Sequence, residues 1–222
     1  MLVRSTPSIA FPTPPAVTVP TIPELQEYRW QFDQAARDAD AVMQDLSDRD
    51  AFWRPSPDRW SVAECIAHLT VLNGLYVPAI ESSIAVARMR RQLGRGPFRY
   101  GFIWAWVVRS LEPAGKQRVR TPRIFTPPAS GTKSAVLSEF QRVQQRLIAL
   151  LEEADGIHLG RTRVRSPVSR FVRIPLGLAF AGIVAHERRH IAQAQRVRQS
   201  LEFPAGAPAP NSPRQPIDDS GA

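Results

Sequence analysis

Two histidines four residues apart, His186 and His190, stand with Glu187 between them in "AHERRHIAQAQRVRQ". On a helix such positions share a face, with Cβ atoms about 5–6 Å apart, so both imidazoles can aim at one point. Neutral imidazole is a favoured ligand for zinc, nickel, iron and copper, and the pair therefore offers two ligands of a metal site. The spelling H-E-x-x-H is also that of zinc proteases, whose catalytic metal needs a third protein ligand and an open position for water. The extended protease form would place glycine and histidine three and six residues beyond His190, where this chain has Gln193 and Arg196. Glu202 stands at the edge of a tail and makes a poor third ligand, so the protease reading is set aside. Glu187 points about 100° away from His186 around the helix and is flanked by Arg188 and Arg189. It is a weak catalytic candidate, a group that orients a ligand, or the partner of a neighbouring arginine.

A third imidazole comes from a distant segment. His68 ends "WSVAECIAH" on one edge of an apolar helix face, so two different helices present inward histidines. His158, in the glycine-flanked "ADGIHLG", reads as incidental. Cys65 lies three residues before His68 and can approach the same centre, but a small buried apolar residue is the commoner role of a free cysteine. The plain alternative for the histidines is a set of core side chains satisfied by hydrogen bonds.

Four helices are needed to position these residues. The first opens at "TIPE", where Thr21 and Glu24 can form a capping box and Pro23 is tolerated in the first turn. Leu25, Tyr28, Phe32, Ala35, Ala39, Val42 and Leu46 then recur at helical spacing. The second opens at a capping box of Ser61 and Glu64 and is expected to run to about Gln92, kinked but not ended by Pro78. The third is predicted over about Lys133 to Ala154 and the fourth over about Pro175 to Leu201. No comparable alternating strand pattern appears. The expected fold is all-α, a four-helix bundle with one long crossover connection between helices two and three, from about Leu93 to Thr132. The aromatic stretch from Phe98 to Trp106 in that connection is expected across the bundle end.

Composition sets the frame. Residues 1–20 hold five prolines, and 202–222 are rich in proline, alanine and serine, so both read as disordered tails around one bundle domain over 21–201. An apolar content of 43% excludes disorder throughout. The net charge of +9 is nearly all arginine, since Lys116 and Lys133 are the only lysines. A basic balance suggests nucleic acid, an anionic membrane surface or acidic ligands, but the arginines are scattered rather than blocked, which favours a solvated basic surface. No nucleic-acid-binding motif accompanies them, so neither a nucleic acid nor a membrane is expected as partner. A lone cysteine forms no intrachain disulfide, and the first residues lack the apolar run of a secretory signal, which together indicate a cytoplasmic protein.

The combination of "WSVAECIAHL" with "AHERRHIAQ", joined by a long loop bearing "RTPRIFTPP", resembles the DinB-like superfamily of metal-binding four-helix bundles. The resemblance covers about Thr21 to Leu201 and carries the family's metal triad onto His68, His186 and His190, with Gln193 matching a glutamine that often follows. It implies zinc or nickel held between bundle helices with coordination positions left open. Its characterised relatives include bacillithiol and mycothiol S-transferases and the mycothiol-dependent maleylpyruvate isomerase. The implied function is a metal-dependent thiol S-transferase or hydrolase acting on a small electrophile, in a monomer or homodimer. Arginines of the crossover and of Arg161 to Arg173 can receive the carboxylates of a low-molecular-weight thiol, or are surface residues. The competing reading is a non-catalytic bundle in which the metal is structural or sensory.

Overall fold

The computed structural model describes residues 20–101, 126–127, 131–167, 169, 171–200 and 203–204. Most of both expected tails, and the crossover from 102 to 125, lie outside the described residues. Helix α1 spans Pro23–Met43 and buries Leu25, Phe32, Ala35, Ala39, Val42 and Met43. A single turn, α2, covers Asp48–Ala51. Helix α3 runs unbroken through Pro78 over Val62–Met89, and α4 spans Lys133–Glu153. A short antiparallel pair, β1 (Arg163–Arg165) and β2 (Arg173–Pro175), then leads into α5, Leu176–Arg198.

Three local expectations are corrected. The predicted capping box at α1 does not form: Ile22 is the N-cap and no side chain of its own caps the helix. Asp155, just beyond α4, takes that place from across the bundle, accepting from Thr21 N at 2.9 Å, Thr21 Oγ1 at 2.8 Å and Ile22 N at 3.1 Å. Glu24 instead accepts from the phenols of Tyr28 and Tyr100, at 2.8 and 2.5 Å. The β-pair was not expected, because its alternation of exposed Arg163, buried Val164 and exposed Arg165 is too short to register as a strand pattern. The short α2 was also unanticipated; Ser47 caps it, and Asp48 accepts from Lys133 N at 2.7 Å, tying it to the start of α4.

Cross-helix contacts fix the topology. Arg29 meets Glu152 at 2.6 Å and Gln141 meets Asp40 at 2.9 Å, so α1 and α4 are antiparallel. Arg146 meets Glu81 at 2.7 Å while Arg88 reaches Glu153 O, so α3 and α4 run parallel. Arg188 bonds Gln31 and Arg198 bonds Ala41 O, so α1 and α5 are parallel. His68, early in α3, meets His186, midway along α5, while Ile80 and Ile84 share a core with Leu176 and Phe180; these two are antiparallel. The order is therefore up, down, down, up, with α1 diagonal to α3 and α4 diagonal to α5. Parallel neighbours α3 and α4 require the long crossover that the sequence indicates.

The core is divided. One apolar cluster gathers Ile22, Phe32, Ile80, Leu147, Phe180 and their neighbours at one end, and a second gathers Val42, Ile66, Leu69, Phe140 and Ile191 at the other. Between them lie the buried polar residues His68, Asn73, Gln144, Glu187 and His190. By length and composition alone α3 could cross a membrane; it carries buried Glu64, His68 and Asn73 and packs against α4 and α5.

Candidate metal centre

The start of α3 is held firmly. Ser61 Oγ accepts from Glu64 N at 3.1 Å, Glu64 accepts from Ser61 N at 2.9 Å, and Arg54 clamps the Glu64 carboxylate from the preceding loop. Burial alone would raise the Glu64 pKa, but the Arg54 guanidinium and the Ser61 N–H outweigh it and hold the carboxyl below its ordinary range. This anchored turn sets His68, one turn further on, toward α5.

There the three predicted histidines meet. One ring nitrogen from each of His68, His186 and His190 falls within 4.8 Å of the others, a group able to hold a metal ion. His68 Nε2 and His186 Nε2 stand 3.4 Å apart. Two nitrogens each about 2.05 Å from a tetrahedral zinc ion are separated by about 3.3 Å, so this spacing fits one edge of such a site. His68 and His190 are buried and His186 is partly exposed. Burial, then the neighbouring imidazoles, push the His190 pKa down to about 2 and, with His68, that of His186 down to about 3. Both rings are thus neutral, the state a metal ligand needs. The Nδ1 atoms of His186 and His190 are buried without a hydrogen-bond partner among the described residues, although Gln193 bonds the His190 side chain, so the alternative of core histidines satisfied by hydrogen bonds does not describe these two rings fully.

Trp60 was not anticipated. It directly precedes the Ser61 N-cap, and its ring lies 4.7 Å from that of His68 and 5.7 Å from that of His190. Its signal was present in the sequence as the aromatic that opens "WSVAECIAHL", next to a helix cap and about two turns before His68. Cys65 is not part of the group; it packs in the second apolar cluster, and burial pushes its thiol pKa up. His158 lies apart, its ring 4.8 Å from that of Phe98.

Glu187 is fully buried and does not pair with Arg188 or Arg189 in an ion pair among the described residues. It reaches inward, where Asn73 Nδ2 donates to Oε1 at 2.6 Å and Gln144 Nε2, on the diagonal helix, donates to Oε2 at 3.0 Å. Burial raises its pKa to about 8 against the pull of both amides. Asn73 and Gln144 were missed, although each interrupts an apolar stripe: Asn73 between Leu69 and Tyr76, Gln144 between Phe140 and Leu147. The arginines at 161, 163, 165 and 173 are exposed on and around the β-pair.

No curated protein and no solved structure matches this chain. One family model, described as the DinB superfamily, matches residues 31–194, a span that contains all three histidines and Trp60.

Proposed function

Because that match covers most of its length, the chain belongs to the DinB superfamily, and we propose from this membership that His68, His186 and His190 bind one divalent ion, zinc or nickel, in a metal-dependent enzyme. The proposed reaction is thiol S-transfer to, or hydrolysis of, a small electrophile. The observation that carries this reading is the convergence of three imidazoles from two helices. Bound there, the ion would supply Lewis acidity toward a thiol or a water, leaving a position free because the protein gives three ligands. The chain's own part is to hold the rings: the capped start of α3 fixes His68, the tilted Trp60 ring packs against His68 and His190, and α5 sets His186 and His190 at helical spacing. Glu187, bonded to two amides, supports the helix pairing rather than the chemistry.

Metal analysis of the purified protein tests the site. About one zinc or nickel per chain is expected, lost in His68→Ala, His186→Ala and His190→Ala. Protein without metal that neither binds added zinc nor nickel nor changes its melting temperature on chelation would refute the reading.

A non-catalytic role is favoured by one observation: among the described residues no carboxylate or thiol joins the histidines, so no obvious general base stands beside them. Low-molecular-weight thiols assayed with model electrophiles separate the two. An enzyme loses its rate in His190→Ala; equal rates in both proteins assign the metal to structure or sensing. A cytoplasmic setting, consistent with the buried Cys65, completes the proposal.

A further inference from the structure

The arginines that look scattered in the sequence are gathered by the fold. Residues 82–101 run off the end of α3, and 156–175 form the approach to α5 and its β-pair. The two stretches are joined by a bridge between Leu93 and Ile157, by His158 N donating to Gln92 O at 2.8 Å, and by Ser83 Oγ donating to Arg163 O at 3.0 Å. Together they contain no aspartate or glutamate. They do contain nine exposed arginines, at 88, 90, 91, 95, 99, 161, 163, 165 and 173, and none of these forms an ion pair among the described residues. The carboxylates nearest in sequence are engaged elsewhere: Glu81 and Glu153 by Arg146, Asp155 by Thr21 and Ile22. The opposite end of the bundle differs, mixing Asp40, Asp45, Asp48 and Glu139 with Arg37, Arg49, Lys133 and Arg142.

Exposed apolar side chains follow the same distribution. Of the five large hydrophobic residues exposed among those described, four lie in these stretches: Met89 at 77%, Leu93 at 62%, Phe171 at 82% and Val172 at 41%. Met89 and Leu93 are interleaved with Arg88, Arg90, Arg91 and Arg95. A surface of one sign attracts polyanions, and guanidinium pairs with phosphate in a bidentate fork. Large apolar side chains set among the arginines add what a nucleic-acid backbone does not use and a lipid layer does, namely insertion at the boundary between headgroups and acyl chains. We propose that this arginine-rich surface, formed by the end of α3 and the β-pair, docks the protein on an anionic phospholipid surface. The arginines contact headgroup phosphates, and Met89 and Leu93 enter the interface. The docking surface is independent of the metal centre, which lies toward the other end of α3.

Co-sedimentation of the full chain with phosphatidylcholine vesicles, with and without phosphatidylglycerol, tests this. Binding is expected to the anionic vesicles alone and to fall as salt is raised. Arg90→Glu/Arg91→Glu should weaken it at least about tenfold, given the attraction each basic residue supplies near such a membrane. Met89→Ser/Leu93→Ser should weaken it several-fold with the charge unchanged, while circular dichroism and metal content stay as in the wild type. Absence of binding to anionic vesicles, or binding unmoved by the charge reversal, overturns the proposal. So does a short DNA duplex or single-stranded RNA bound in their place, lost on charge reversal and indifferent to the serine substitutions; that result would assign the surface to nucleic-acid phosphates.

Discussion

The polar layer between the two apolar clusters has two halves built on different plans. In one, three imidazoles from α3 and α5 crowd together, and two of them keep a buried Nδ1 with no partner among the described residues. In the other, Glu187 has both carboxylate oxygens taken by amides from α3 and α4. Each half carries two unpartnered buried atoms among the described residues, Nδ1 of His186 and of His190 in one and Asn73 Oδ1 and Gln144 Oε1 in the other, each of a kind that costs about 1–3 kcal/mol. What separates them is the groups that face each other: ring nitrogens of three imidazoles in the first, and in the second, closed half a carboxylate whose two oxygens are both taken by amides. Adjacent residues of one helix, His186 and Glu187, thus belong to halves with opposite chemistry.

The largest expected effect tests the histidine half. His68→Ala, His186→Ala and His190→Ala should each abolish stoichiometric metal binding, read by elemental analysis after gel filtration. In the wild type, a metal at about 1,000 times its dissociation constant should stabilise the fold by about 4 kcal/mol. The three variants should lose that increment while keeping a melting temperature near that of metal-free wild type. If a variant retains both metal and increment, the two halves are not divided as argued.

Next in size is the closed half. Glu187→Ala leaves two buried amides without an acceptor and a cavity between them, which should cost about 2–4 kcal/mol by urea denaturation. The sign of the pH dependence follows from its raised pKa. In the fold the carboxyl keeps its proton up to about 8, whereas unfolded it ionises above about 4.3. Between those values the folded state binds more protons, so stability falls as pH rises through that window. In metal-free protein Glu187→Gln should flatten this fall, a result read from melting temperatures at pH 6 and 9. A wild-type curve with no such slope would show that the half is not closed around a protonated carboxyl.

How much of this division was legible in the sequence depends on where the signal sat. The convergence of the three histidines was readable because His186 and His190 share one helix face and His68 lies at the edge of another apolar stripe. The four long helices followed from spacing, and the crossover from the length between Leu93 and Thr132. The partners of Glu187 could not be read from its sequence neighbours, which are arginines, because they come from residues 114 and 43 positions away. The same holds for Asp155, which replaces the local cap expected of Thr21. Pairings across the bundle have no local periodicity to announce them, and the gathering of arginines from two distant stretches was hidden for that reason.

Trp60→Ala sharpens the comparison with a smaller effect. The ring packs on His68 and His190, on the histidine side of the layer. Its removal should weaken metal binding by about tenfold in chelator competition and lower metal-free stability by about 1–2 kcal/mol. Trp60→Phe should restore most of the affinity. The cobalt-substituted protein gives an independent readout, since loosened imidazoles alter its visible spectrum. An unchanged affinity and spectrum in Trp60→Ala would mean the histidines are positioned by their helices alone.

The smallest effect separates metal affinity from overall stability. Burial raises the Asp155 pKa, but hydrogen bonds from Thr21 and Ile22 outweigh it and hold the carboxyl below its ordinary range. A depressed folded pKa contributes stability that is full above about pH 4 and is lost as pH falls through the folded value. Asp155→Ala should therefore lower stability by about 1 kcal/mol at neutral pH, as loss of a helix cap does, and by less in acid. Asp155 sits at the end of the bundle remote from His68, so metal stoichiometry and affinity should not change. If metal affinity fell in proportion to stability here as in Trp60→Ala, the histidine half would be reporting the rigidity of the whole bundle, and its distinction from the closed half around Glu187 would dissolve.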